Sequence, residues 1–332
     1  MYFEHLTELN FSYNGFKSFP LDLVNQKKLR ALSLANNSIP SISIEFFDAA
    51  TELRYLDLSD NEITAIPAAI RRLEGKLFHL SLANNPRLEK DRLRSVLCGL
   101  TNLVSLNLAG TGRSESSLSE LRNLSKLTYL DLSNNALSSV PEALFELNNL
   151  KHLKLNKNKI SSFTVKKDSS VSELTSLNLS HNKLEKLDES IGCLVKLENF
   201  YISNNKLSAL PASFGFLKEL HCLYINSNTF CEFPLIITHC SKLVELHMCF
   251  NLLTRVPPDI YWLTELEVFS TFGNVGLTIP PYLCAHFTFS TPAFSPYSLG
   301  APSNSTPWPS FIMWTSQVLK MKLSESENRT MR

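Results

Sequence analysis

Hydrophobic and polar residues follow a repeated block along most of the chain. Leu occupies the first, fourth and sixth positions and Asn the ninth, as in LRYLDLSDNEI (53–63), LTYLDLSNNAL (127–137), LKHLKLNKNKI (150–160) and LTSLNLSHNKL (174–184). Twelve copies align, with their first Leu at positions 6, 29, 53, 77, 103, 127, 150, 174, 197, 220, 243 and 266. The step is 23 or 24 residues, with one step of 26.

This spacing predicts one short strand in each copy. The fourth and sixth positions point to one side of the strand, and the third, fifth and seventh point to the other. One coil cannot bury its apolar side alone, so the coils stack and their strands form a parallel sheet. The period is that of leucine-rich repeats. We therefore predict an α/β fold, a curved leucine-rich repeat solenoid of about 12 repeats with a concave sheet roughly 50 Å long.

The ninth position predicts a ladder of side-chain amides through the stack. An amide there can donate to and accept from the backbone of neighbouring coils, which stacking removes from water. Thr111 is the exception. The predicted ladder consists of Asn14, Asn37, Asn61, Asn85, Asn135, Asn158, Asn182, Asn205, Asn228, Asn251 and Asn274.

An apolar residue and often a Pro follow the ladder position, as in AIP at 65–67 and RVP at 255–257. Apolar residues then recur three apart, as in Ile260, Leu263 and Leu266. This spacing predicts a short helix or helical turn on the convex side, with Pro at its start.

Composition excludes a wholly disordered chain and argues against nucleic acid as the main partner. The chain has 44% hydrophobic residues and a net charge of +1, which leaves no long-range attraction toward phosphate backbones. The seven cysteines are an odd number without clustered flanking pairs, which indicates a reducing, cytoplasmic environment. Cys240 replaces a repeat Leu, so we expect a buried core thiol.

Two regions are expected. Residues 1–281 form the repeat domain, and residues 282–332 are a Ser/Pro-rich, disordered tail. We expect no secretion leader and no membrane span, and an array that begins at Leu6 favours a chain cut from something longer.

Catalytic motifs are not visible, so we predict a non-enzymatic protein without cofactor or metal. The sequence contains no Walker-type glycine loop, HExxH or GxSxG. His221, Cys222, His247 and Cys249 are on adjacent predicted strands. They occupy different positions within their repeats, however, and a zinc site needs ligands that converge on one point. Variable surface residues are the favoured interpretation.

Partner binding on the concave face is the better supported function. Tyr201 and Tyr224 are on successive strands with His221 and His247 beside them, and amphipathic rings often anchor interfaces. A second candidate combines Tyr55 and Tyr129 with Asp57, Asp60 and Asp131, which would attract a basic or amphipathic helix, although two of its strands are separated. The predicted partner-binding residues are Tyr55, Asp57, Tyr129, Asp131, His152, Lys154, Tyr201, His221, Tyr224 and His247.

The irregular middle of the array, residues 70–147, resembles the corresponding stretch of flightless proteins. It shares an Asn-Pro copy at Asn85, an L-R turn at Leu93, Thr111 in place of the ladder Asn, and an insertion containing Arg113. The last repeat, 257–281, also ends in the family's proline doublet. The resemblance covers roughly residues 6–281.

This resemblance implies a scaffold in the cytoplasm that is linked to the actin cytoskeleton and to Ras-linked signalling. Coiled-coil proteins or a Ras-like GTPase are the implied partners. The gelsolin-like repeats that act on actin in that family do not follow Pro281 here, so the link to actin is expected to be indirect. Two alternatives stay open: a free-standing Ras-pathway scaffold, and a regulatory subunit that clasps a phosphatase.

Overall fold

The array forms one parallel sheet in a computed structural model, which describes residues 5–89, 96–97, 99–165 and 173–278. The strands are β1 (Glu8–Asn10), β2 (Ala31–Ser33), β3 (Tyr55–Asp57), β4 (His79–Ser81), β5 (Ser105–Asn107), β6 (Tyr129–Asp131), β7 (His152–Lys154), β8 (Ser176–Asn178), β9 (Asn199–Tyr201), β10 (Cys222–Tyr224), β11 (Glu245–His247) and β12 (Val268–Ser270). They follow one another in chain order within a 12-stranded sheet.

Equivalent positions of successive repeats lie beside each other. Leu32 pairs with Leu56 and Leu56 with Leu80, and each is at most 2% exposed. The buried leucines therefore form columns that run through a single continuous core. Because each coil covers the apolar side of the next, the stack supplies the burial that one repeat lacks. The predicted fold class, a leucine-rich repeat solenoid, is confirmed.

The predicted amide ladder is present, and each rung from Asn37 onward joins two coils. In Asn61, Nδ2 donates to the carbonyls of Leu58 in its own coil (3.2 Å) and Leu34 in the preceding coil (2.9 Å). Its Oδ1 accepts from the amide of Ile39 at 3.0 Å, again in the preceding coil. Asn135, Asn158 and Asn182 repeat the pattern. The amide therefore satisfies backbone groups that the stacking buries.

Arg113 compensates for the missing amide at Thr111. The Thr111 hydroxyl donates to Leu108 O within its own coil at 2.7 Å. The Arg113 side chain, fully buried, donates from Nε to Thr111 Oγ1 (3.2 Å) and from Nη2 to Leu88 O (3.0 Å), 25 residues earlier. Burial lowers the pKa of Arg113 to about 10. The Arg113 guanidinium thus links the two coils, because the Thr111 hydroxyl is too short to reach the preceding coil.

The return segments are short helical turns, as predicted. In the second repeat this turn is the α-helix α1 (Ile44–Ala49), and later repeats have turns of 3-10 helix whose N-caps include Pro67, Pro141, Pro211, Pro234 and Pro257. The 3-10 helices span Leu21–Asn25, Ala68–Leu73, Glu115–Asn123, Glu142–Glu146, Glu189–Cys193, Ala212–Phe216, Leu235–His239 and Pro258–Trp262. Ile260 and Leu263 are buried, which confirms the inward apolar spacing.

The eighth position of every repeat has a left-handed backbone. The residue before each ladder position has a positive φ, between 52° and 60° for the non-glycine residues. These residues are Tyr13, Asn36, Asp60, Asn84, Asn134, Lys157, His181, Asn204, Ser227 and Phe250, with Gly110 and Gly273 in the remaining two repeats. The sequence reasoning missed this feature, because only seven of the twelve positions carry the Asn, Asp or Gly residues that favour this conformation.

Cys240 is fully buried, which confirms the expected core thiol. The predicted boundary at 281 and the tail at 282–332 lie outside the described residues.

Candidate functional site

Three aromatic rings stack across successive strands on the concave face. β9, β10 and β11 bring Tyr201, Tyr224 and His247 into register. The ring centroids of Tyr201 and Tyr224 are 5.0 Å apart, and those of Tyr224 and His247 are 4.3 Å apart and nearly parallel. All three side chains are half-buried. We call Tyr201, Tyr224 and His247 the ring stack, and the sequence predicted its three members.

Glu245 orients two of these rings. The Tyr224 hydroxyl donates to Glu245 Oε2 at 2.6 Å, and His247 Nε2 lies 3.7 Å from the same oxygen. Burial and the hydrogen bond to Glu245 raise the pKa of Tyr224. Burial lowers the pKa of His247, although Glu245 opposes this effect. The rings are therefore uncharged near neutral pH, with one carboxylate at their edge. Glu245 was not among the site residues that the sequence predicted.

Lys154 lies at the other side of the ring stack. Its Nζ is 3.8 Å from Asp131 Oδ2 and 5.4 Å from the centroid of the Tyr129 ring. Its charge also acts on the pKa of Tyr201, where it opposes the dominant effect of burial. The concave surface thus carries a cation on β7, three rings on β9 to β11 and a carboxylate on β11.

The second candidate patch does not come together. Tyr55 lies on β3 and Tyr129 on β6, with β4 and β5 between them. Asp57 and Asp131, at the fifth position of their repeats, were predicted to attract a basic or amphipathic helix. They are only 4% and 7% exposed, however. Each accepts from a backbone amide two residues later, Ser59 N at 3.0 Å and Ser133 N at 2.9 Å. A short side chain at this position bonds to its own turn instead of reaching a partner.

The remaining predicted residues, His152 and His221, lie outside the ring stack. His152 is exposed, with its ring centroid 6.4 Å from that of Tyr129. His221 precedes β10, and its backbone amide donates to Glu198 O at 2.8 Å. His221 is therefore at the second position of its repeat, whereas the three rings of the ring stack are at the fifth position of theirs.

The thiols near the ring stack are protonated and are not grouped as metal ligands. Burial raises the pKa of Cys222 to about 11 and also raises that of Cys249. Within residues 5–89, 96–97, 99–165 and 173–278, no three His, Cys, Asp or Glu side chains are grouped to hold a metal ion. Over the same residues, no helix is long and apolar enough to cross a bilayer.

Two family models match the chain. The model described as "Leucine rich repeat" matches residues 27–87 and 169–230, and the model "Leucine Rich repeats (2 copies)" matches residues 125–167. The chain is a leucine-rich repeat protein. Such arrays are typical of non-enzymatic protein–protein interaction modules.

Flightless-1 homologues are among the curated relatives of this leucine-rich repeat protein. It is 39% identical to the homologue from Caenorhabditis elegans over 115 residues, which is 34% of this chain and 9% of that protein. It is 37% identical to the mouse homologue over 143 residues, 43% of this chain and 11% of that protein. The chain thus matches about a tenth of the length of these relatives. The resemblance expected over residues 6–281 is supported for part of that range.

Solved leucine-rich repeat structures share the fold. The protein LIC12759 from Leptospira interrogans is 29% identical, with a TM-score of 0.70 over 81% of this chain and 67% of that chain. The ectodomain of the plant receptor kinase GASSHO1/SCHENGEN3 from Arabidopsis thaliana, in complex with CASPARIAN STRIP INTEGRITY FACTOR 2, is also 29% identical. Its TM-score is 0.51 over 79% of this chain and 40% of that chain.

Proposed function

We propose that this leucine-rich repeat protein is an interaction scaffold that holds a segment of a protein partner on its concave sheet. The ring stack of Tyr201, Tyr224 and His247 is the observation that supports this function. Half-buried rings held by the sheet offer apolar area with little loss of side-chain entropy on binding. Aromatic residues in such settings are enriched among the residues that dominate binding energy.

The polar groups around the ring stack define the kind of segment that it accepts. An apolar or aromatic side chain of the partner packs on the rings. Glu245 on one side and Lys154 on the other offer opposite charges for a donor and an acceptor of the partner. Because Glu245 already holds Tyr224, the rings are ordered before the partner arrives, and preorganisation of this kind reduces the cost of binding.

The finer assignment rests on the partial resemblance to flightless-1 homologues. We propose a cytoplasmic scaffold that recruits a coiled-coil protein or a Ras-like GTPase and is linked indirectly to actin organisation. A solved relative, the GASSHO1/SCHENGEN3 ectodomain, was determined in complex with another protein factor, which supports partner binding by arrays of this fold.

A triple substitution tests the ring stack. We expect Y201A/Y224A/H247A to weaken the partner by more than about 2 kcal/mol. Proteins that co-purify with the full chain and with the variant are quantified by mass spectrometry, and the affinity of each candidate is then measured by calorimetry. Circular dichroism establishes that the variant is folded.

A matched control removes three exposed apolar side chains from the return segments, F216A/L235A/W262A. The control is expected to keep every partner that the triple variant loses. Equal retention by both variants, with both folded, would exclude the ring stack as the binding site. Loss in the control alone would assign binding to the convex side.

A further inference from the structure

A row of four lysines and one histidine follows the loop edge of the sheet, beyond the carboxyl ends of three successive strands. Lys157, Lys159, His181, Lys183 and Lys206 occupy the eighth and tenth positions of repeats seven to nine, and all are exposed. We call these five residues the basic ledge. Glu185, two residues after Lys183, places an acidic side chain beside the basic ledge in sequence.

The backbone fixes the basic ledge in the same way in each coil. The amides of Lys159, Lys183 and Lys206 donate to the carbonyls of Leu137, Ile160 and Leu184, each at 2.8 Å and each in the preceding coil. The lysines therefore start from equivalent points one strand apart, about 4.8 Å. This is a regular row on a rigid edge.

The positive charge of the basic ledge is poorly neutralised. Lys206 pairs with Glu185 at 3.3 Å, in an exposed contact. Among the residues that the structure describes, Lys157, Lys159 and Lys183 have no carboxylate within ion-pair distance. Burial, and then repulsion by Lys157, lower the pKa of His181. Like charges thus gather along one edge of a chain whose net charge is only +1.

The same edge becomes apolar two repeats further on. Phe250 and Leu252 are 54% and 53% exposed, and Val275 is 91% exposed. The Phe250 and Phe272 rings meet edge to face, with centroids 5.4 Å apart. We call Phe250, Leu252, Phe272 and Val275 the apolar end. They occupy positions seven to ten of repeats eleven and twelve, in line with the basic ledge.

We propose that this edge is a second interaction surface, which binds a polypeptide segment of a partner protein that is acidic in one half and apolar in the other. From repeat seven to repeat twelve the edge measures about 24 Å, five strand spacings. A helix of about 16 residues or an extended segment of about seven spans that length. The surface lies beyond the strands, so it is separate from the ring stack.

The arrangement favours a linear, two-part ligand over a membrane or nucleic acid. A membrane-binding surface presents apolar side chains with cations around them, whereas here the charges and the apolar residues follow one another along a narrow line. Nucleic acid would match the cations but not Phe250, Leu252 and Val275, which lie away from the charges. Acidic residues facing the lysines and apolar residues facing the phenylalanines match both parts.

The test uses the full chain and a labelled synthetic peptide of about 16 residues with Glu in one half and Leu and Phe in the other. Fluorescence anisotropy gives its dissociation constant. K159E/K183E/K206E is expected to weaken binding by about tenfold or more, with a smaller salt dependence. The matched charge change K17E/K27E/K28E, in exposed lysines of the first repeat, is expected to change binding by less than about twofold.

A second pair of variants tests the apolar end. F250N/L252S is expected to weaken the peptide, and Asn is the residue that tolerates the left-handed φ of position 250. The control L235S removes an exposed apolar side chain elsewhere. An equal loss of peptide affinity in K159E/K183E/K206E and K17E/K27E/K28E would overturn the proposal. So would a wild-type chain that does not bind the peptide.

Three further results would assign this surface to a different ligand and so overturn the proposal. Vesicles containing phosphatidylserine that bind the wild-type chain but not K159E/K183E/K206E, while the peptide does not bind, would identify a membrane. Self-association lost in F250N/L252S would identify a second copy of the chain. Peptide binding that tightens by about tenfold when Phe311, Ile312 and Trp314 are replaced by Ser would identify the chain's own tail as the occupant.

Discussion

At the scale of single residues, the ladder amides carry the contact between coils. Asn158 is 8% exposed; its Nδ2 donates to Leu132 O and Leu155 O, both at 3.0 Å, and its Oδ1 accepts from Leu137 N. Removing the Asn158 side chain leaves the buried amide of Leu137 without a partner, which costs about 1–3 kcal/mol. It also takes from Leu132 O and Leu155 O one of the two amide donors that each accepts from, since Asn135 and Asn182 are the others. The ladder is therefore a set of obligatory hydrogen bonds.

Asn158→Ala is thus expected to lower the free energy of unfolding by about 2–4 kcal/mol, as measured by urea denaturation. Asn14 provides the comparison, because it is exposed and its Nδ2 donates to Ser12 O within its own coil. Asn14→Ala should cost less than about 1 kcal/mol. Similar losses of unfolding free energy in Asn158→Ala and Asn14→Ala would show that the hydrogen bonds between coils do not stabilise the protein.

The left-handed eighth position gives two substitutions with opposite expected effects. Ser227 adopts φ of 52° without the benefit of glycine, so Ser227→Gly should stabilise the protein by about 0.5–1 kcal/mol. Gly110 has φ of 64°, and a Cβ there would meet the Asn84 side chain. Gly110→Ala should therefore destabilise it by about 1–2 kcal/mol. Thermal unfolding measures both, and a fall in Tm for Ser227→Gly would contradict this account.

At the scale of elements, the return segments act through the side chains that they turn inward. In the 3-10 helix Glu142–Glu146, Leu144 is fully buried. In the equivalent helix Leu235–His239, the first residue, Leu235, is 52% exposed. The two leucines thus differ in burial although both lie in short turns that begin after a Pro.

Leu144→Ala is expected to lower the free energy of unfolding by about 2–5 kcal/mol, because it removes packed methyl groups and leaves a cavity. Leu235→Ala should change it by less than about 0.5 kcal/mol. Chemical denaturation of both variants measures the difference. If Leu235→Ala were as costly as Leu144→Ala, the assignment of inward and outward faces would be wrong.

The strands, the ladder and the return turns could be predicted from sequence because each depends on residue type at a fixed spacing. The ring stack could also be predicted, since in-register parallel strands place Tyr201 beside Tyr224. The burial of Asp57 and Asp131 could not be predicted, because it depends on hydrogen bonds to the following turn. The burial of Arg113 depends likewise on the absent amide at Thr111, a contact between loops rather than a pattern.

At the scale of the whole molecule, pH acts through histidines that the stack partly removes from water. Burial is the largest cause that lowers the pKa of His79, His152, His181 and His247. In the unfolded chain these groups bind protons near their ordinary pKa of about 6.5. The unfolded state therefore binds more protons than the folded state as the pH falls through that value, so stability falls with it.

We expect Tm to decrease between pH 7.5 and pH 5.5, an interval that spans this ordinary pKa of about 6.5. Differential scanning calorimetry measures the decrease, and His247→Phe, which keeps a ring in the stack, should make it smaller. A Tm that rises on acidification would mean that the histidines gain stabilising partners in the folded state.

The array holds the ring stack on its sheet, and the proposed binding of a partner there can be tested directly. Benzoylphenylalanine, a photoreactive aromatic residue, is placed in the full chain at Tyr224 and, in a second protein, at Phe216 on a return segment. Both positions already carry aromatic rings, so each substitution keeps a ring in place, although at Tyr224 it removes the hydroxyl that donates to Glu245. Irradiation in an extract of the source cells is followed by identification of the covalent partners.

We predict that the Tyr224 position forms a covalent product with a partner protein and that the Phe216 position does not. The Tyr224 product should disappear when an excess of the unlabelled wild-type chain competes for the partner. A product from Phe216 alone would contradict the central claim, because it would place the partner on the convex side, away from the ring stack.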